Sequence, residues 1–382
     1  MIYLDNGATS FPKAPNVGFK MKECIENYAV NIGRGSYELS KIAEEKVLEA
    51  RILLKELFNV DSPTNIFFTS SATEGINIGI QGLLKRGDHV ITTALEHNSV
   101  LRPIKYLESK GVSNTIVQLN HDGEINIRDI EKSIQSNTKL VVVSHVSNVL
   151  GTIQDIKAIG KLCKEHGIPF MVDAAQSAGK LSIDVKRDNI SILAFPGHKG
   201  LMGPQGIGGL YIERSLCEKI GSIKFGGTGS NSLDLNQPNI VPDKFESGTL
   251  NLPGIVGLCE GLKFINHETL DKINNKEEEL IDYLISELGK LSYIRIYGRL
   301  NAKRAGVLCV NIDYMDPSEV GYALNHRNIA VRTGFHCAAL IHRYINTEKT
   351  GTVRISPGYF NTMDDVSKLV EAIKDIYENA FY

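Results

Sequence analysis

Between about residues 41 and 260, the chain alternates two patterns of apolar positions. The stretch KIAEEKVLEARILLKELF places Ala43, Val47, Ala50, Leu54 and Leu57 three or four residues apart, which predicts an amphipathic helix. Short apolar runs rich in β-branched residues predict strands that are covered on both faces. These runs are NIFFT, HVITT, TIVQL, KLVVVSH, PFMVD, ISILAF and GGLYI. Alternation of this kind predicts an α/β fold with a mostly parallel sheet wrapped by helices.

A different order of elements begins near residue 256. The charged helix pattern DKINNKEEELIDYLISEL precedes further strand-like runs, and a final helix pattern has Thr362 as its expected N-cap. The strand-like runs are YIRIYG, VLCVNI, IAVRT and TVRIS, with a helix pattern between the second and the third. We therefore expect a large domain over residues 14–255 and a smaller α+β domain formed by residues 1–13 and 256–382.

The composition argues against several classes of protein. The 382 residues suffice for two packed domains, and the formal net charge of −2 provides no basic field for nucleic acid or an anionic membrane. No apolar run approaches the ~20 residues that cross a bilayer, and the start MIYLDNGATSFPK lacks the pattern of a signal peptide. Six separate cysteines without a CxxC pair indicate reduced thiols rather than disulfides or a zinc site. We expect a cytoplasmic enzyme without a metal, a membrane partner or a nucleic-acid partner.

Two segments at predicted strand ends carry an acid and a lysine. Asp173 ends the apolar run PFMVD, and Gln176 follows three residues later. Lys199 follows the run ISILAF in a glycine-rich loop, where a buried lysine can act as an amine nucleophile. Taken singly, Asp173 could be a helix N-cap and Lys199 a solvated surface residue. Because open α/β sheets bind ligands at the carboxyl ends of their strands, the two segments are candidates for one site.

Other strand ends supply candidate contacts for an anion and a ring. In FFTSSATEGINIG, Ala72 and Thr73 could direct backbone N–H groups and a hydroxyl at an anion; the alternative is ordinary capping by Ser71 or Thr73. His97 and Asn148 follow two more strands, although a lone histidine is often structural. The glycines near the lysine match neither GxGxxG nor the P-loop. A phosphate site, an acid and a lysine together are what pyridoxal 5′-phosphate requires.

The whole chain resembles the class V aminotransferase family, and within it the cysteine desulfurases and selenocysteine lyases. The motifs that carry the resemblance are YLDNGATSFPK, TEGIN, EHNSV, SNVLGT, VDAAQSAG, GHKG, FESGTLN, RTGFHCA and VRISPGYFNT. The resemblance implies the fold of the fold-type I pyridoxal phosphate enzymes. RTGFHCA resembles the motif of the group that has a short cysteine loop.

The resemblance also implies which residues bind the cofactor. Lys199 is expected to bind the cofactor aldehyde, Asp173 to keep the pyridine nitrogen protonated, and Gln176 to hydrogen-bond the phenolic oxygen. His97 is expected to stack on the ring and to assist proton transfer. The expected phosphate contacts are the Ala72 backbone, Thr73, His198 and, donated across a homodimer interface, Thr228.

Two further residues are implied to bind the substrate. Asn148 and Arg354 are expected to hold its carboxylate, with Arg354 forming a bidentate pair. Two positions depart from the family pattern. Pro196 replaces a frequent Ser or Thr, and Gly33 precedes Arg34 where related desulfurases can have His. These departures concern affinity and rate, because neither removes a reacting group.

Cys337 has three interpretations. A metal site with His336 and His342 would lack a carboxylate or a second cysteine, and a buried inert thiol is the usual state of cysteine. The third interpretation is a nucleophile, favoured by positive charge from Arg332 and His336 and by small neighbouring residues. The resemblance favours the nucleophile, which would take sulfur from L-cysteine to leave L-alanine and a persulfide.

The hypothesis from the sequence is therefore a pyridoxal phosphate-dependent cysteine desulfurase that also accepts L-selenocysteine. By resemblance, a small acceptor protein receives the persulfide sulfur. Another class V enzyme, such as an aminotransferase or a kynureninase-like hydrolase, would retain Lys199 and Asp173 but give Cys337 no role. A non-catalytic sulfur-relay protein is an alternative of a different class, and it would lack cofactor-linked absorbance.

Overall fold

The computed structural model describes residues 1–32, 35–120, 123–298 and 304–381. Its strands, in chain order, are β1 (Ile2–Tyr3), β2 (Ile66–Thr69), β3 (His89–Thr93), β4 (Ser113–Val117), β5 (Thr138–Ser144), β6 (Phe170–Asp173), β7 (Ile192–Pro196), β8 (Gly208–Ile212), β9 (Ile294–Ile296), β10 (Leu308–Ile312), β11 (Ile329–Ala330), β12 (Arg332–Gly334) and β13 (Thr352–Ile355). Its α-helices are α1 (Val17–Asn27), α2 (Glu38–Phe58), α3 (Ala72–Leu83), α4 (Asn98–Glu108), α5 (Ile127–Lys132), α6 (Ile156–Glu165), α7 (Leu252–Glu268), α8 (Leu270–Leu288), α9 (Pro317–His326), α10 (Ala339–Tyr344) and α11 (Met363–Phe381).

The large-domain sheet has its strands in the order β2-β8-β7-β6-β5-β3-β4. Strands β3 to β7 pair in parallel, whereas β8 runs antiparallel to β2 and β7. Because successive side chains of a strand point to opposite faces, Val141 and Val143 of β5 join one apolar cluster while Leu140 and Val142 join the other. Apolar burial on both faces explains the continuous apolar runs in the sequence. The predicted α/β architecture is confirmed.

Helices cover this sheet as the apolar pattern predicts. On α2 the predicted stripe faces the core, with Ala43, Val47, Ala50 and Leu54 buried and Leu57 packed at the edge of the same cluster. Across the described ranges, every helix is either too short or too polar to cross a lipid bilayer.

The small domain is built on an antiparallel sheet in the order β12-β13-β10-β9. Leu284 of α8, Leu324 of α9 and Leu369 of α11 share one apolar cluster with this sheet. Thr362 caps α11 as expected, since its Oγ1 accepts a hydrogen bond from the Asp365 N–H at 3.3 Å. The division at residue 255 remains a prediction. It lies inside α7, whose buried side chains belong to the large-domain core.

A crossing segment, residues 5–13, connects the two halves. It leaves β1, which pairs with β11, and its Asn6 Nδ2 donates to the Ser356 carbonyl at 3.1 Å. The Ser10 N–H donates to the His198 carbonyl at 3.0 Å, on the large-domain side. The first residues of the chain therefore lie over the boundary where the candidate functional residues meet.

Candidate active site

The carboxyl ends of the central parallel strands meet at one edge of the large-domain sheet. Ser144 at the end of β5 is in register with Asp173 at the end of β6, which in turn is in register with Ala194 of β7. An inner cavity of about 520 Å³, counting space that opens to solvent, begins at this edge. The predicted site residues that line it are Ala72, Thr73, His97, Asn148, Asp173, Gln176, His198 and Lys199.

Lys199 projects an amine without a protein partner into this cavity. Its Nζ makes no hydrogen bond or ion pair with any residue that the structure describes. Burial is the largest effect on its pKa, with Arg354 and Arg332 acting in the same direction and Asp173 opposing them. The pKa of Lys199 is thereby lowered to about 8, so a useful fraction of the amine is neutral near physiological pH.

Asp173 lies fully inside the protein beneath the same cavity. Burial raises the pKa of its carboxyl group, while a hydrogen bond from the Ala175 N–H, 2.8 Å from Oδ1, and the charge of Lys199 oppose that rise. The carboxyl oxygen thus accepts from the following turn, but the residues after Asp173 form no helix, so the helix N-cap interpretation does not hold. Gln176 donates from Nε2 to the Gly7 carbonyl at 3.0 Å, which ties the crossing segment to this wall.

The lining of the same cavity also includes groups suited to an anion. Ser71 caps α3, because its Oγ accepts from the Glu74 N–H at 3.3 Å, and the Thr73 hydroxyl has no partner in the described part of the chain. His198 Nδ1 is buried and likewise lacks a hydrogen-bond partner there. Burial, Lys199 and Lys13 lower the pKa of His198 to about 4, so its ring is neutral. A buried nitrogen left without a partner fits a ligand that completes its hydrogen bond.

These observations test whether the residues fit pyridoxal 5′-phosphate. A phosphate can be bound by the first turn of α3 with Thr73 and His198, an aldehyde by Lys199, and a pyridine nitrogen by Asp173. Pro196 also lines the cavity and brings no hydroxyl to it, so the departure noted in the sequence removes one potential phosphate donor. The set of donors fits the cofactor.

His97 caps a helix and also lines the inner cavity. It is the N-cap of α4, and its Nδ1 accepts from the Ser99 N–H at 3.0 Å, which leaves the proton of the neutral ring on Nε2. Burial, followed by the charges of Lys199 and Arg332, lowers its pKa to about 4. The ring that lines the cavity is therefore uncharged.

Arg354 and Asn148 form a polar contact between the two domains. Arg354 of β13 is 1% exposed, and its Nη1 donates to the Asn148 carbonyl at 3.3 Å. Its Nη2 lies 2.8 Å from Asp5 Oδ1, and its Nε has no partner among the described residues. The Asn148 side chain donates from Nδ2 to the His336 carbonyl at 2.6 Å. This contact holds the loop that carries Cys337 against the large domain.

Cys337 is exposed, whereas the other five cysteines are buried. It follows β12 in a loop where His336 and Cys337 have left-handed backbone with φ of 48° and 57°, a strained conformation for residues other than glycine. The Cys337 carbonyl accepts from the Asn98 N–H at 2.8 Å. Cys337 lines an outer cavity together with Arg102, Thr73 and His97, and the last two residues also line the inner cavity. The thiol therefore lies where the cleft opens to solvent.

One expectation about the environment of Cys337 is wrong. Burial lowers the pKa of His336 to about 2, and its Nε2 lies 2.9 Å from Thr352 Oγ1, so this ring carries no positive charge. Arg102 lines the same outer cavity as Cys337, and Arg332, five residues before the thiol on β12, forms no ion pair within the described ranges. His342 Nδ1 lies 2.7 Å from Thr347 Oγ1 instead of facing the thiol. The described residues contain no group of three potential metal ligands.

Thr228 does not line the inner cavity of its own chain. It lies beside a separate cavity lined by Asn31, Arg51 and Glu246, and exposed apolar side chains occur in the same loop. These side chains are Phe225, Leu233, Leu235 and Ile240. Its expected role across a dimer interface remains a prediction. Gly33 and Arg34, the other departure noted in the sequence, lie outside the described residues.

Sequence reasoning missed two acids near the site. Asp5, in the quoted motif YLDNGATSFPK, pairs with Arg354. Glu96, beside His97, is fully buried and accepts hydrogen bonds from Thr93 Oγ1 at 2.6 Å and Ser144 Oγ at 2.7 Å. Burial raises the pKa of Glu96 to about 7. An acid adjoining a motif residue was the available signal, but only the fold brings the partners of these acids to them.

Comparisons with known proteins cover almost the whole chain. The model of the family described as "Aminotransferase class-V" matches residues 2–369. A protein from Pyrococcus abyssi named "Probable cysteine desulfurase" is 36% identical over 386 aligned residues, covering 99% of this chain and 95% of that protein. A protein of the same name from Borreliella burgdorferi is 34% identical over 388 residues, covering 98% and 92%. The apo structure of a cysteine desulfurase from Thermococcus onnurineus NA1 matches with a TM-score of 0.93 and 34% identity, covering 99% of this chain and 95% of that one.

Proposed function

The chain belongs to the class-V aminotransferase family, and from this membership we propose that it is a pyridoxal 5′-phosphate-dependent cysteine desulfurase. The observation that carries the proposal is the position of Cys337. It is the one exposed cysteine of the six, and it lines the cavity that adjoins the cavity of Lys199. An aminotransferase or a kynureninase-like hydrolase would have no use for a thiol in this position.

Lys199, Asp173 and the first turn of α3 would hold the cofactor. When bound, the cofactor supplies an aldehyde for the substrate amine and an electron-accepting ring that stabilises negative charge at the α-carbon. Asp173 would keep the ring nitrogen protonated, and Gln176 would hydrogen-bond the phenolic oxygen. Thr73, His198 and the Ala72 N–H, which line the same cavity, would bind the phosphate.

The remaining residues act on the substrate. Arg354 and Asn148 bind its carboxylate and thereby orient the bond from the α-carbon to hydrogen. Lys199, with its lowered pKa, removes the α-proton as a neutral amine. Cys337 Sγ then forms a bond to the substrate sulfur as the bond from that sulfur to carbon breaks. The balance is L-cysteine plus the Cys337 thiol giving L-alanine plus the Cys337 persulfide.

The alanine product gives the direct test of this proposal. L-Alanine release is measured with L-cysteine and with L-selenocysteine, for the wild type and Cys337→Ala. We expect the variant to lose the L-cysteine reaction while retaining the L-selenocysteine reaction, because the carbon–selenium bond breaks more readily. Survival of the L-cysteine reaction would remove Cys337 from the mechanism, and no alanine from either substrate in the wild type would reject the proposed reaction. Cys163→Ala, a buried thiol, is the matched control.

A homodimer with Thr228 acting in the partner's site belongs to the same proposal. Its support is the position of Thr228 outside its own inner cavity and the exposed apolar residues of its loop. Mixed dimers of a Lys199→Ala chain with a Thr228→Ala chain test it. If the threonine acts across the interface, the mixed dimer contains one complete site and regains activity. If it acts within its own chain, neither site is complete and the mixture stays impaired.

Persulfide sulfur then has to leave the enzyme. The exposed position of Cys337 at the outer cavity gives an acceptor thiol access to it. We propose a small acceptor protein as that partner. Transfer of radiolabelled sulfur from the Cys337 persulfide to an acceptor cysteine measures it directly, and a persulfide that only low-molecular-weight thiols can discharge would contradict it.

A further inference from the structure

Some N–H groups of the Arg354 guanidinium make no hydrogen bond to the described residues. A guanidinium carries five N–H groups, and here Nη1 donates to the Asn148 carbonyl and Nη2 to Asp5. Nε has no partner among the described residues. Two contacts therefore hold the group in place, and further N–H donors, including the one on Nε, remain for a ligand.

Asp5 is held firmly enough to act as a fixed counter-ion. Its backbone bridges to Ser356 beside β13, and its carbonyl accepts from the Tyr3 hydroxyl and the Ala8 N–H at 3.1 and 3.0 Å. The Asp5 side chain is only 20% exposed, and that of Arg354 is 1% exposed. A cation buried to this degree is stable only with a charged or strongly polar partner, and Asp5 is the carboxylate that contacts it.

The crossing segment is shaped around the guanidinium. A Cβ on Gly7 would lie 3.3 Å from Arg354 Cζ and 3.1 Å from Ser356 Oγ, so glycine allows the backbone to lie against the charged group. The next contacts of this segment are with Gln176 and His198, both in the wall of the inner cavity. Asp5 therefore lies on a segment that contacts both Arg354 and the wall of the inner cavity.

We propose that Asp5 is a positioning residue for the substrate: its carboxylate fixes Arg354 so that the remaining N–H groups receive the carboxylate of an α-amino acid. The inference rests on the proposed function, in which Arg354 binds that carboxylate. Asp5 stays in place when substrate binds, because the guanidinium has enough donors for both. Arg332, whose charge acts together with that of Arg354 on His97 and Lys199, offsets the second negative charge.

The test compares two ligands that differ only in a carboxylate. L-Alanine and ethylamine both present an amine and a methyl group to the holoenzyme, and the change in cofactor absorbance reports their dissociation constants without turnover. In Asp5→Ala we expect L-alanine to bind roughly tenfold more weakly, the typical loss for a charge-assisted contact, with ethylamine unchanged. Asp5→Asn keeps an acceptor of the same shape and should lose less. Asp282→Ala, an exposed carboxylate on α8, serves as the control.

The outcomes separate the inference from the proposed function. Unchanged or tighter L-alanine binding in both Asp5 variants would overturn the inference, and equal weakening of both ligands would reduce Asp5 to a structural role. Arg354→Lys provides the second comparison. If it keeps the preference for L-alanine over ethylamine, the proposed carboxylate site is wrong. If it loses the preference while the Asp5 variants retain it, only the role of Asp5 fails.

Discussion

The two ends of the proposed active cleft, one at Lys199 and one at Cys337, differ in burial and in backbone conformation. The lysine end lies on the carboxyl edge of a parallel sheet, where Asp173 is buried and the amine of Lys199 has no partner among the residues that the structure describes. The cysteine end lies on a small-domain loop with left-handed backbone, and its thiol is exposed. Burial lowers the pKa of the reacting amine at the first end, whereas the reacting thiol of the second end is exposed on left-handed backbone.

This difference corresponds to the two halves of the proposed reaction. Proton removal from carbon needs a neutral amine and a fixed acid, and a dry setting on strand ends supplies both. Sulfur transfer needs a thiol that first meets the substrate and then an acceptor from outside. A thiol buried like Cys163 or Cys259, whose pKa burial raises to about 12, could do neither. The Asn148 side chain joins the two ends through its bond to the His336 carbonyl.

Removing the lysine should have the largest effect. We expect the rate of alanine release from both L-cysteine and L-selenocysteine to fall by roughly a thousandfold or more in Lys199→Ala. Removal of a catalytic nucleophile or base can lower a rate by this factor. The protein should also lose the yellow absorbance that persists through dialysis in the wild type. Lys186→Ala, a surface lysine paired with Asp61, should change neither property. Residual selenocysteine activity at the wild-type level would show that the lysine end is not shared by both reactions.

Labelling of thiols should distinguish the cysteine end. Iodoacetamide should modify a single cysteine of the folded chain, because five of the six are buried. In Cys337→Ser the folded chain should remain unlabelled. In the wild type, pre-incubation with L-cysteine should place the persulfide mass on the peptide that contains Cys337. Mass spectrometry measures both. A persulfide on any other cysteine would contradict the assignment of the sulfur-accepting end.

Glu96 provides a pH test of the buried end. Its folded pKa, raised to about 7 by burial, exceeds its ordinary value of 4.5, so the folded state binds the proton more tightly. Its contribution to stability is therefore complete below about pH 4.5 and is lost as the pH rises through 7, by about 3 kcal/mol at most. Glu96→Gln should remove this loss, so its free energy of unfolding relative to wild type should rise across that window in urea titrations. A parallel pair of stability curves would contradict the raised pKa.

The last prediction concerns how the rate of cofactor capture by Lys199 depends on pH. Because its pKa is lowered to about 8, the neutral fraction of the amine rises roughly tenfold per pH unit below that value. The rate at which cofactor-free protein captures pyridoxal 5′-phosphate should rise accordingly and level off above about pH 8. Stopped-flow absorbance follows the capture. A rate that continues to rise to pH 10 would indicate that Lys199 has its ordinary pKa and that burial does not lower it.

Much of this arrangement could be predicted from the sequence. The continuous apolar runs predicted buried parallel strands, and the spacing on α2 predicted which side chains face the core. The lysine end was predictable because Asp173 and Lys199 directly follow strands, and parallel strands bring such residues to one edge. The expectation that His336 contributes positive charge beside Cys337 is wrong, because the ring is buried and neutral.

What the sequence determined by itself is therefore local: periodicity, strand ends and the residue types placed there. The tertiary structure decided the contacts between distant segments, such as Asp5 with Arg354 and Asn148 with the loop of Cys337. It also decided which cysteine is exposed and how far burial lowers the pKa of Lys199. The physical reason is that periodicity and capping depend on neighbours along the chain, whereas desolvation and ion pairing depend on every segment that packs around a group.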